Sequence, residues 1–150
     1  MKTALIAGAT GLIGGQLLTL LLDSDRYSKV IAFTRQDLPV NPKLIQLKMH
    51  PENLGELDST SQVDDVFCCL GTTMAKAHTK EKFYQVDFTL PFLLAKTGLA
   101  HGAKQYLLVS ALGADKKASI YYNQVKGEFE EGIFKAGFKT VQVFRPSLLL

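Results

Sequence analysis

Residues 119–126 read SIYYNQVK, and within them Tyr122 and Lys126 stand four residues apart. On a helix, that spacing puts both side chains on one face. A lysine ammonium held beside a phenol favours the phenolate, so such a pair can pass a proton near neutral pH. Tyr121 is five residues from Lys126 and points about 100° away around the helix, toward packing or the rim of a site. Ser110 lies twelve residues before Tyr122 and closes an apolar run. At the C-terminal end of a strand its hydroxyl could hold a substrate carbonyl beside the phenol. The competing reading is a helix face with no chemistry, because Tyr-x-x-x-Lys is common by chance.

A second constellation is Gly8-Ala9-Thr10-Gly11-Leu12-Ile13-Gly14, a G-x-x-G-x-x-G pattern between an apolar run and a stretch of helix formers. The first glycine permits a tight turn. The second removes a side chain where a diphosphate must approach the backbone, and the third lets the helix pack close to the strand. The free N–H groups and partial positive charge of a helix N-terminus then face the phosphates, with Thr10, Leu12 and Ile13 at that mouth. No Lys-Ser/Thr follows Gly14, which excludes a P-loop. About twenty positions further on, an acidic residue would favour NAD. Thr34-Arg35 stand there instead, and an arginine makes charge-assisted bonds to a 2′-phosphate, so the expected cofactor is NADP, with NAD second. Asp37 nearby keeps the NAD alternative open, as does the reading of Arg35 as a solvated surface residue.

These residues need elements to position them. Strands are expected at 3–7, 30–33, 44–47, 63–70, 106–110 and 141–144, and helices at 12–22, 80–84, 87–100 and 120–135. Asp87 reads as the N-cap of the 87–100 helix, with Pro91 near enough to the first turn to be tolerated. Gly137 ends the last helix. Residues 53–62 carry mixed signals with room for a short helix. Alternating strands and helices predict a Rossmann-like α/β fold: a doubly wound parallel sheet in three αβα layers, forming one NAD(P)-binding domain over residues 1–150. The sequence stops at RPSLLL directly after a strand. The expectation is a chain truncated at its C-terminus, without a closing helix and with apolar residues left uncovered.

Composition narrows the function classes. Apolar residues make up 47% and charged residues 21%, ordinary values for a globular protein. The net charge of +3 comes from scattered lysines and arginines, without the basic run that tracks nucleic acid. The apolar run at 17–22 is too short to span a bilayer, and no leader is evident. Cys68 and Cys69 are adjacent; strand neighbours point to opposite faces, so they read as buried small hydrophobes rather than a disulfide. No metal-ligand spacing is present. These features predict a reducing, cytoplasmic setting and no metal. His50, His78 and His101 read as ordinary loop and helix-end residues.

The chain resembles the short-chain dehydrogenase/reductase superfamily in its extended and atypical branches. The resemblance rests on GATGLIG at 8–14, GTT at 71–73, YQVDF at 84–88, LLVSALGAD at 107–115, YNQVKGEFE at 122–130 and FRPSLLL at 144–150. Together they look most like the group related to the Tat-interacting oxidoreductase. The resemblance implies that Gly8, Gly11 and Gly14 hold the diphosphate and that Gly71 and Thr72 border the ribose and nicotinamide half. Leu70 and Pro146 join the expected cofactor contacts. It implies Tyr122 as proton donor, Lys126 on the nicotinamide ribose and Ser110 orienting the carbonyl of a small-molecule substrate. A homodimer built from the 87–100 and 120–135 helices is implied as well. Many relatives carry an asparagine on the fourth helix to complete a proton relay, whereas this chain reads Gln85-Val86-Asp87 there. Two functions follow: an NADP-dependent oxidoreductase, or a non-catalytic dinucleotide-binding module that regulates a protein partner.

Overall fold

Short runs of apolar residues with few polar interruptions build strands that are buried on both faces. The computed structural model describes residues 1–50 and 53–147. Among the described residues six strands form: β1 (Lys2–Ala7), β2 (Tyr27–Thr34), β3 (Leu44–Lys48), β4 (Asp65–Cys68), β5 (Gln105–Val109) and β6 (Thr140–Phe144). Every pairing is parallel, in the order β3-β2-β1-β4-β5-β6. Ala4 of β1 pairs with Val30 on one side and Asp65 on the other. The strand order reverses between β1 and β4, which opens a crevice at their C-terminal ends.

Helices cover both faces. Helix α1 (Leu12–Asp23) packs Leu18 and Leu21 against Ala4, Ile6, Val30 and Ala32. On the opposite face, Leu90 and Leu94 of α4 (Leu90–Ala100) and Phe129 and Ile133 of α5 (Tyr121–Phe134) join Leu5, Ile31, Val66 and Tyr106. Each such fully buried apolar side chain contributes about 1.5–3 kcal/mol. The Tyr106 hydroxyl donates to the Pro91 carbonyl at 3.1 Å, which ties β5 to the start of α4. The expected Rossmann-like, three-layer parallel sheet is therefore present. Among the described residues, no helix is long and apolar enough to cross a membrane.

Several local expectations give way. A short helix, α2 (Met74–Ala77), precedes α3 (Lys80–Tyr84). Thr73 and Thr79 cap them, accepting the N–H groups of Lys76 and Lys82 at 3.1 Å each. No helix forms over 53–62. There the Asp58 carboxylate accepts the N–H and the hydroxyl of Thr60 at 2.9 Å, a side-chain turn that competes with helix. Asp87 is not an N-cap. A π-helical turn (Gln85–Thr89) joins α3 to α4 without a break, and the Leu90 N–H reaches back to the Gln85 carbonyl. Pro91 gives the physical cause, because its ring has no N–H and collides with the carbonyl four residues earlier in an ordinary turn. The wider turn accommodates the ring and carries Asp87 into the interior, where it is 2% exposed. Residues 145–147 follow β6 without regular structure, and Leu148–Leu150 lie outside the described residues.

Candidate dinucleotide and proton-transfer site

The glycine loop is shaped by close contacts. Gly8 has φ 89°, a left-handed conformation that favours glycine. A Cβ placed there would lie 2.3 Å from the Cys69 carbonyl carbon, and one on Gly14 would lie 1.9 Å from the Gly8 carbonyl oxygen. The first and third glycines thus let the loop pack on β4 and α1 pack on the loop. Gly11 differs. It is exposed, and an added Cβ would meet the Gly8 oxygen at an ordinary 3.6 Å. Gly11 also starts α1 without a side-chain cap. Thr10 and Leu12 are exposed beside it, and Ile13 is half-buried. A narrow turn, an open backbone cradle and an uncapped helix N-terminus suit a diphosphate.

At the next corner, Thr34 is buried and donates its hydroxyl to the Gln36 carbonyl at 2.7 Å. Arg35 is exposed and, among the described residues, forms no ion pair. Lys48 pairs in register with Thr34 and donates from Nζ to the Arg35 carbonyl at 2.8 Å. A second cation therefore stands beside Arg35. The sequence reading missed it because Lys48 reaches this corner only through the pairing of β2 with β3.

The Tyr122 ring packs on Phe83 at 5.3 Å between centroids, and Lys126 Nζ lies 5.6 Å from the Tyr122 centroid. Tyr121 packs on the same Phe83 ring at 5.9 Å between centroids, with Lys80 Nζ 5.0 Å over its own ring. Lys126 is 6% exposed and forms an ion pair with Asp87 Oδ1 at 2.5 Å. The other Asp87 oxygen accepts the Thr72 N–H at 3.1 Å. A Cβ on Gly71 would come within 3.6 Å of both Asp87 Oδ1 and Lys126 Nζ, so the backbone after β4 lies directly against the pair. Burial pushes the Asp87 carboxyl above the usual carboxylate range, while Lys126 and the Thr72 N–H pull it back. The sequence signal for this residue was present: the spot where relatives were expected to carry asparagine holds an acid.

Ser110 has a different partner. Its buried hydroxyl donates to Glu130 Oε2 at 2.7 Å, one turn of α5 beyond Lys126. Arg145 Nε donates to both Glu130 oxygens at 3.0 and 3.2 Å, and its terminal nitrogen adds a further bond. The structure thus brings Lys126, Gly71 and Thr72 together around Asp87, with the Tyr122 ring beside Lys126, and engages the Ser110 hydroxyl in a separate cluster. Leu70 is a core residue, and the half-buried Pro146 accepts the Leu112 N–H at 3.1 Å. A cavity of about 750 Å³, lined by Ile13, Leu17, Phe67, Leu107, Phe144 and Pro146 among others, opens on the α1 side of β4, β5 and β6, away from Tyr122. Burial raises both thiols, Cys69 to about 12 with Cys68 adding to the effect.

The sequence pattern of the NAD dependent epimerase/dehydratase family matches residues 4–123. The chain belongs to this family. The match includes the glycine loop and Tyr122 and stops short of Lys126. The chain is 36% identical over 150 residues to "Protein FMP52, mitochondrial" of Candida glabrata, covering 99% of this chain and 64% of that one. It is 37% identical over 158 residues to "Protein HTATIP2" of Rattus norvegicus, covering 99% and 63%. It therefore spans somewhat under two thirds of these relatives. Among solved structures, Bordetella bronchiseptica WbmH in complex with NAD+ superimposes with a TM-score of 0.77 at 16% identity, covering 97% of this chain and 55% of that one. MoeE5 in complex with UDP-glucose and NAD gives 0.74 at 18% identity, covering 95% and 53%. These likenesses establish the fold. The expected short-chain dehydrogenase/reductase membership and an NAD(P)-binding Rossmann fold stand. The expected cytoplasmic setting does not: several fungal relatives carry "mitochondrial" in their names. Reduced cysteines are compatible with any reducing compartment, so they could not single out the cytoplasm.

Proposed function

We propose that the chain is the dinucleotide-binding portion of an NADP-dependent oxidoreductase that interconverts a carbonyl and an alcohol, with Tyr122 as proton donor. The observation that carries this reading is a buried lysine, 6% exposed, held against the backbone that follows β4 with Tyr122 on the same helix face. A dinucleotide would supply the hydride donor or acceptor. The chain's own residues would do the rest. Gly11 leaves its backbone open for a diphosphate, and the uncapped start of α1 favours negative charge there. Arg35 and Lys48 offer two cations where a 2′-phosphate would distinguish NADP from NAD. Tyr122 moves a proton at its hydroxyl oxygen. Lys126, fixed by Asp87, presents its remaining N–H groups to the phenol and to a ribose hydroxyl.

A second reading has an observation of its own. The Ser110 proton is committed to Glu130 and is not available to a substrate carbonyl, which favours a dinucleotide-binding module that regulates a protein partner without turnover. One experiment separates them: NADPH oxidation by the full-length protein across a panel of aldehydes and ketones, for wild type, Tyr122→Phe and Tyr121→Phe. The enzyme reading expects Tyr122→Phe to lose about 10²–10⁴-fold in rate with cofactor binding intact, and Tyr121→Phe to stay near wild type. Tight NADPH binding without turnover on any substrate would favour the module.

A further inference from the structure

Glycine at position 71 is not required by the fold itself. Its φ lies outside the left-handed region, and among the described residues an added Cβ would meet only Asp87 Oδ1 and Lys126 Nζ, each at an ordinary 3.6 Å. Gly8 and Gly14, by contrast, are held to glycine by backbone atoms that a Cβ would approach to 2.3 and 1.9 Å. Gly71 is exposed, whereas the Lys126 and Asp87 side chains behind it are 8% and 0% exposed. The missing side chain therefore leaves an opening from solvent onto a buried ammonium. That ammonium needs a tether, because a lysine stem is flexible and carries its charge toward water when nothing holds it. Asp87 is the tether. Its Oδ1 lies 2.5 Å from Lys126 Nζ, and its Oδ2 accepts the Thr72 N–H at 3.1 Å. One carboxylate thus joins α5 to the loop after β4 and leaves the lysine further N–H groups to donate. The π turn carries Asp87 inward, and turns of this kind recur at functional sites. Stability gives little reason for such a pair, since apolar replacements for a buried ion pair are often neutral or stabilising.

We propose that Asp87 is a positioning residue for dinucleotide binding: it fastens Lys126 to the Gly71–Thr72 backbone and so holds the ammonium at the opening left by Gly71, for a ribose hydroxyl on the nicotinamide half. Asp87 itself touches no ligand atom. It acts through the lysine, which it keeps from swinging out to solvent, and through the Thr72 N–H, which fixes the loop against α5. The glycine at 71 then has the same reason as the one at 11: the protein's own packing tolerates a side chain there, and a ligand does not. The identity of the ligand rests on the dinucleotide reading above. It needs no turnover, so it holds for the enzyme and for the regulatory module alike.

The test compares whole dinucleotides with their adenine halves by isothermal titration of the full-length protein: NADPH against adenosine 2′,5′-bisphosphate, and NADH against ADP. The halves carry the phosphates for the glycine loop and for the corner at Arg35, and they lack the ribose assigned to Lys126. Asp87→Asn keeps an oxygen for the Thr72 N–H and removes the charge that holds the ammonium. It should weaken the tighter-binding dinucleotide by about tenfold or more, the loss expected for a hydrogen bond to a charged group. The matching adenine half should stay within about twofold of wild type, as expected for a distant, independent contact. In a Lys126→Met background, Asp87→Asn should cost no further affinity, because the group it acts through is already gone. If Asp87→Asn does not fold by circular dichroism, Gly71→Ala carries the test, since its methyl makes only ordinary contacts; it too should weaken the dinucleotide and spare the half. Equal losses for a dinucleotide and its half overturn the proposal, as does unchanged dinucleotide affinity in folded Asp87→Asn or Gly71→Ala. A wild-type protein that binds neither NADPH nor NADH removes the dinucleotide reading, and this proposal with it.

Discussion

Substituting Gly11 separates the two jobs of a glycine loop. Its backbone, φ −81° and ψ 178°, is extended and open to any residue. A methyl group would meet the Gly8 oxygen at 3.6 Å, an ordinary contact. Alanine at a compatible backbone position gains about 0.4–1 kcal/mol through the unfolded state, and at a helix N-cap it gives back roughly as much. Gly11→Ala should therefore fold with a stability within about 1 kcal/mol of wild type. The methyl would nonetheless stand where a diphosphate must reach the backbone, so NADPH should bind at least tenfold more weakly, a loss of about 1.4 kcal/mol. Gly14→Ala is the contrast. Its Cβ would be 1.9 Å from the Gly8 oxygen, a backbone atom that cannot move away alone, and the expected loss is about 3 kcal/mol or more. Urea denaturation reads the stabilities, and quenching or enhancement of NADPH fluorescence reads the affinity. Wild-type NADPH binding by Gly11→Ala would show that the loop does not hold a diphosphate. Wild-type stability of Gly14→Ala would show that the packing argument is wrong.

Arg35→Ala should weaken NADP(H) by tenfold or more relative to NAD(H), because only the former carries a 2′-phosphate; Lys48→Met should act in the same sense, and equal losses for both cofactors in isothermal titration would remove the NADP preference. The Tyr27 hydroxyl donates to Asp65 Oδ2 at 2.7 Å inside the fold, and burial first, then Asp65, pushes its ionisation well above the ordinary range. A raised phenol contributes stability that is complete below the unfolded-state value of about 10 and is lost as pH climbs beyond it. Wild type should thus lose stability above pH ~10, whereas Tyr27→Phe should start about 1–2 kcal/mol lower at neutral pH and fall less steeply; parallel urea curves at both pH values for the two proteins would contradict this.

Much of this protein was determined by local sequence. Apolar runs alternating with helix formers, and three glycines spaced G-x-x-G-x-x-G, specify strand, turn and helix through contacts between near neighbours, so the Rossmann-like sheet and the open Gly11 cradle were legible in advance. The face shared by Tyr122 and Lys126 followed from helical geometry alone. What tertiary structure decided lies between elements distant in the chain. Asp87 reads locally as a helix cap; only the π turn forced by Pro91 and the docking of α5 turn it inward onto Lys126. Ser110 reads locally as a neighbour of Tyr122, yet its hydroxyl donates to Glu130 of α5, which Arg145 just beyond β6 holds in place. Lys48 joins Arg35 only through strand pairing. In each case the deciding energy is the pairing of a buried or backbone polar group with a partner more than ten residues away. No local propensity encodes that choice, because an unpaired polar group becomes costly only once the fold has removed its water.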